Sequence, residues 1–173
     1  MTETLERPGA EDCPGADARP QAEHDWLSRM VGEWTFESTM LMGPDQPPMT
    51  SGGRQTNRSL GGLWLIGEGE GGMPDGGTMN SVITLGFNPA KGKFVGSFIA
   101  SMMTHLWPYE GTLDGNVLTL DSEGPSFSGD GTTAKYQDVV ELVDDDHWIL
   151  RSRAPGPDGQ WFEFMTGHYR RVR

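Results

Sequence analysis

The sequence predicts an all-β fold, an antiparallel up-and-down barrel of about ten strands preceded by one short helix. Three observations carry that expectation. After Gly32 the chain proceeds in short apolar or alternating bursts, the pattern of half-buried strands. Each burst stops at a hairpin-type turn, so sequence neighbours are expected to pair. No second segment is long and helical enough to serve as the crossover that a parallel sheet requires. A meander built this way leaves two unpaired edges, and closing into a barrel removes both.

Taken in order, residues 1–22 are polar and carry Pro8, Pro14 and Pro20 among few large apolar groups. They cannot offset the entropy of ordering and read as a disordered tail. Residues 23–173 make one domain, and about 150 residues suffice to bury roughly 70% of the unfolded surface. From Ala22 to Met30, Trp26, Leu27 and Met30 recur at helical spacing, which gives the one short helix. The strands expected next are Trp34–Met42, Gly53–Leu60, Leu63–Glu70, Met79–Phe87, Phe94–Met103, Trp107–Leu113, Val117–Asp121, Ala134–Val143, Trp148–Arg153 and Trp161–Arg171. Pro89-Ala90-Lys91-Gly92, Asp114-Gly115-Asn116, Asp144-Asp145-Asp146 and Pro157-Asp158-Gly159 join neighbours. Asp and Asn tolerate the left-handed region that tight turns need, and Gly enters it freely. Phe94–Met103 is apolar on both faces, with Phe94, Phe98 and Met102 on one and Val95, Ile99 and Met103 on the other. A lined barrel covered outside explains that pattern, and so does a homodimer.

Composition narrows the partners. A formal net charge of -12 repels nucleic acid and anionic membrane, and Arg170, Arg171 and Arg173 are too few to reverse it. The expected role of that acidity is solubility. The one cysteine, Cys13, excludes an intramolecular disulfide. The N-terminal residues lack a basic start and an apolar run, and no stretch reaches membrane length. A cytoplasmic protein is therefore expected, with no bound cofactor and no metal.

Gly32-Glu33-Trp34, after a short helix and opening the first strand, resembles the Gly-x-Trp signature of lipocalins and the wider calycin superfamily. That resemblance implies a Trp plugging the closed end of the barrel with a C-terminal Arg packed over it, here Arg170 or Arg171. Further runs extend the likeness: Met42-Gly43-Pro44, Arg58-Ser59-Leu60-Gly61-Gly62, Thr84-Leu85-Gly86-Phe87-Asn88-Pro89, Met103-Thr104-His105-Leu106-Trp107-Pro108-Tyr109-Glu110-Gly111 and Met165-Thr166-Gly167-His168-Tyr169-Arg170-Arg171. On these the chain resembles a bacterial family of unknown function with a calycin-like barrel. That family has no agreed activity, so the likeness implies a fold and stops short of a function.

Candidate functional residues come from strand parity. Trp34, Phe36, Ser38, Met40 and Met42 share a face expected to point inward, where Met40 suits an irregular apolar ligand or simply fills the core. His105, Trp107 and Tyr109 share another face and form a polar patch in an apolar setting, the usual form of a small-molecule site; Met103 adjoins them. Arg58 and Glu68 lie on adjacent strands, either paired at the surface or turned inward to meet a carboxylate. The leading expectation is a barrel that binds a small, mostly apolar molecule. A competing one is an isomerase or hydrolase with His105 as base, assisted by Tyr109 or Glu110. A third is a haem barrel with His168 as axial ligand. Gly67-Glu68-Gly69-Glu70-Gly71-Gly72 formally satisfies Gly-x-Gly-x-x-Gly, but Met73-Pro74-Asp75 follows where a nucleotide site needs a helix.

Overall fold

The structure is a computed structural model that describes residues 18–173. Most of the expected tail, with Cys13, lies outside the described residues. The chain forms one helix, α1 (Ala22–Ser28), and ten strands: β1 (Gly32–Met40), β2 (Met49–Leu60), β3 (Trp64–Gly72), β4 (Thr78–Asn88), β5 (Lys93–Ala100), β6 (Trp107–Asp114), β7 (Val117–Pro125), β8 (Thr133–Asp144), β9 (His147–Pro155) and β10 (Trp161–Arg171). Every strand pairs antiparallel with its sequence neighbour, and β1 pairs with β10 to close the barrel.

The expected hairpins stand where the turn residues put them. Gly115, between β6 and β7, has φ 59, a left-handed conformation that a glycine adopts without strain. The main differences are at strand ends. β1 stops at Met40, so Met42 lies in the β1–β2 loop and is exposed. β5 stops at Ala100, so Met102 and Met103 leave the sheet and the two-faced pattern expected of them does not extend that far. The glycine-rich run is strand β3, and a loop, not a helix, follows it. That removes the dinucleotide reading.

Alternation along each strand sorts the side chains. Trp34 faces inward, and its register partners Gln55 on β2 and Arg171 on β10 share that face. Three glycines of β3 do too: Gly67, Gly69 and Gly71 pair with inward positions on β2 and β4. Large neighbours occupy the room they leave. A Cβ at Gly71 would lie 3.0 Å from the Phe36 ring, and one at Gly53 would lie 2.7 Å from it.

One end of the barrel is shut by α1. Gln21 and His24 make a reciprocal capping box at its start, with Gln21 N–H donating to His24 Nδ1 at 2.9 Å. Trp26, Leu27 and Met30 are buried against Trp34, Phe94 and Leu65 in one apolar cluster. Trp34 Nε1 donates to the Met30 carbonyl at 2.9 Å. The Arg171 guanidinium lies 4.2 Å from the Trp34 ring centroid. It also donates to the carbonyls of Val31 at 2.7 Å, Arg29 at 2.8 Å and Asp145 at 2.8 Å. The Arg29 carbonyl, at the C-cap, is an end-of-helix acceptor that the helix itself leaves free. Arg170 faces outward beside Thr35, so Arg171 alone makes the expected contact with the tryptophan.

Candidate functional site

Burial changes along the barrel axis. Near α1 the inward side chains Leu65, Leu85, Phe94, Leu118, Leu142 and Trp148 are buried. Toward the other end, Met40, Met49, Met79, Phe98, Trp107 and Met165 face inward on their strands yet are only half-buried. Met40, Met49, Met79 and Trp107 stand at or beside strand ends, where the barrel opens to solvent. The end away from α1 is thus a mouth walled by methionine and aromatic groups.

A polar cluster lies on the inner wall of the barrel. Tyr109 on β6 donates its hydroxyl to Asp138 Oδ2, and Ser152 on β9 donates to Asp138 Oδ1 at 2.5 Å. Asp138 sits inward on β8, between register partners Leu120 and Ser152. Burial pushes its carboxyl above the usual carboxylate range, while the Ser152 and Tyr109 bonds pull it back. Tyr109 is held well above its ordinary value, first by burial and then by the adjacent Asp138 charge, so it stays an O–H donor. Tyr169, stacked on Trp148 with ring centroids 3.5 Å apart, is raised by the same two causes. Ser122 on β7 pairs with Tyr136 of the same wall, and its buried Oγ has no hydrogen-bond partner.

At the rim a groove of about 470 Å³ opens between β3–β5 and the β5–β6 loop. Its lining combines inward Gly69, Ser81 and Ala100 with outward Glu68, Val82 and Ile99, and Met103 to Leu106 form the opposite side. His105 stands here, its Nε2 3.0 Å from the Glu123 carbonyl and its ring edge-on to Trp107. Trp107 Nε1 donates to the Met103 sulfur at 3.0 Å. A crevice between α1 and β3, about 10 Å³ and touching His24 and Trp64, has room for one water at most.

The sequence-based candidates divide accordingly. Phe36, Met40, Trp107 and Tyr109 face the interior, and Met103, His105 and Glu68 line the rim groove. Arg58 and Glu68 are both on the outward parity of β2 and β3, so no guanidinium enters the barrel there to receive a carboxylate. The supposed catalytic group does not assemble: Glu110 faces outward and holds Lys91 at 2.8 Å, Tyr109 is committed to Asp138, and His105 meets a backbone carbonyl. His168 also faces outward, its Nδ1 3.1 Å from His147 Nε2, where it cannot ligate a haem held inside. Among the described residues no three metal-ligating side chains converge. Asp138, Ser152 and Ser122 were not singled out from the sequence. The available signal was Asp138 sharing the parity of Tyr136 and Val140 in one strand.

Comparisons with known proteins agree with this architecture. The family model described as "Protein of unknown function (DUF1579)" matches residues 19–171, and the chain belongs to that family. No curated protein matches. Among solved structures, Rv2717c from M. tuberculosis aligns with a TM-score of 0.60 at 14% identity, covering 90% of this chain and 100% of that one. The S-type phycobiliprotein lyase CPES from Guillardia theta aligns with a TM-score of 0.55 at 10% identity, covering 88% and 94%. Identities this low establish a shared barrel and nothing about chemistry.

Proposed function

We propose that the open half of the barrel binds a small, mostly apolar molecule. The observation that carries this reading is the half-burial of the inward methionines Met40, Met49, Met79 and Met165 at the end away from α1, beside the buried cluster under the helix. A barrel meant only to be stable gains by filling its interior. Small-molecule sites instead combine an apolar concavity with a few placed polar groups, and Tyr109, Asp138 and Ser152 supply them here. The contacts proposed are Phe36, Met40, Trp107 and Tyr109 inside, with Met103 and His105 at the entrance. The net charge of -12 disfavours nucleic acid or an anionic membrane as the main partner, and a cytoplasmic protein is part of this reading. Among the described residues no helix is long and apolar enough to cross a bilayer.

The test is titration with N-phenyl-1-naphthylamine, a neutral apolar fluorophore. Saturable enhancement is expected, weakened about tenfold or more by Met165→Trp, which fills the mouth. No saturable signal from the folded protein overturns the reading. Native mass spectrometry of the freshly purified chain would then identify what it carries.

A further inference from the structure

The interior has an unbalanced charge. Along the inward faces of the ten strands only two side chains are ionic, Arg171 and Asp138. Arg171 is spent at the closed end on Trp34 and three backbone carbonyls. Asp138 is left with two neutral donors, Tyr109 and Ser152, and with no Lys, Arg or His in ion-pair contact among the described residues. Each of its oxygens accepts one bond, and a carboxylate oxygen can accept more than one. A desolvated carboxylate that lacks a cation is costly, and an entering cation relieves that cost. Beside it the Ser122 hydroxyl is buried and unpartnered.

The mouth carries the same sign. Its five loops hold Asp45, Asp75, Asp130 and Asp158 and no Lys or Arg, while Lys135 and Arg153 lie close by on the outward faces of β8 and β9. A ring of one sign around an entrance draws opposite charge toward it and turns like charge away. Resting on the binding function proposed above, we infer that the ligand is an amphiphilic amine, its ammonium group held at the Asp138–Tyr109 cluster and its apolar body lying along Met40, Phe98 and Met165. A fatty carboxylate, the natural counterpart of an inward arginine, is the ligand this interior rejects.

Three ten-carbon probes separate the cases at pH 7: decylamine, 1-decanol and decanoate, each displacing N-phenyl-1-naphthylamine. The expected order is decylamine tightest by about tenfold over decanol, the scale of a charge-assisted hydrogen bond, with decanoate weakest. Asp138→Asn should bring decylamine and decanol within about twofold of each other, since the amide keeps the shape and removes the charge. Decanoate binding as tightly as decylamine overturns the inference, as does an amine preference that survives Asp138→Asn. The wild-type comparison of amine with carboxylate decides the matter even if the variant folds poorly. Decanol displacing the fluorophore with no preference for the amine would sink this inference alone. A protein that takes up neither fluorophore nor decanol sinks the binding function beneath it.

Discussion

The two ends of the barrel are built from the same alternating strands and end in opposite states. At the α1 end, Trp34, Leu85, Leu118 and Trp148 are buried and interlocked. At the mouth, Met40, Met79, Phe98 and Met165 occupy the equivalent inward positions and remain half-covered. The difference does not come from apolar content. It comes from what sits across the opening: a helix that lays Trp26, Leu27 and Met30 over one end, and glycine- and aspartate-bearing loops around the other. Strand alternation decides which side chains point inward, and the end caps decide whether they meet anything.

The comparison breaks most visibly through Trp34. Trp34→Ala should cost about 3–5 kcal/mol in denaturant melts, because a full tryptophan cavity opens where nothing can collapse into it. Removing Arg171 comes next. Arg171→Ala leaves the Val31 and Arg29 carbonyls without their donor and should cost about 2–3 kcal/mol, while Arg170→Ala on the outer face should stay within about 0.5 kcal/mol. Equal costs for the two arginines would mean that the closed end is not held as described. Truncation at the mouth should be milder: Met40→Ala or Met165→Ala should cost about 1 kcal/mol or less, below the 2–5 kcal/mol typical of a fully buried methionine. Costs matching those of core methionines would show the mouth to be packed like the base.

The smallest effect is the most diagnostic. Asp138 titrates higher in the folded protein than its ordinary value of 3.8, so the folded state binds that proton more tightly than the unfolded chain. Its contribution to stability is therefore greatest in acid and declines as pH rises through 3.8 toward the raised folded value. Above that value it is a constant penalty. Asp138→Asn removes the slope, so the stability of the variant relative to wild type should improve between pH 4 and pH 7. A difference that is flat across that range, read from paired melts, contradicts the desolvated carboxylate.

Much of the fold is legible in the sequence because turns are local. Asp114-Gly115-Asn116 and Pro157-Asp158-Gly159 announce their hairpins without reference to anything distant, and the β6–β7 and β9–β10 pairings follow. Inward or outward sense is less legible wherever a long loop intervenes. Eight residues separate β1 from β2, so the inward sense of Trp34 does not carry across by counting, and Arg58 and Glu68 turn out to be exterior. The choice between Arg170 and Arg171 depends on an irregularity in β10 between Glu163 and Met165, which shifts parity by an amount no residue type declares. Asp138 is hard to read from the sequence for another reason. A carboxylate in an alternating strand ordinarily marks the solvent face, and only the register from β7 through β9 places this one inside.

The pairing of β1 with β10 has a consequence during synthesis. Trp34 in the first strand is opposite Arg171 in the tenth. When the ribosome has delivered β1 through β9, the growing sheet is a ribbon with both margins bare, its inner groups and backbone donors open to other nascent chains. β10 does more than add a strand, because it turns a ribbon into a tube and brings in the arginine that locks the helix end. A stop codon shortly before Trp161 would thus yield a sticky, unclosed sheet prone to pairing with its neighbours.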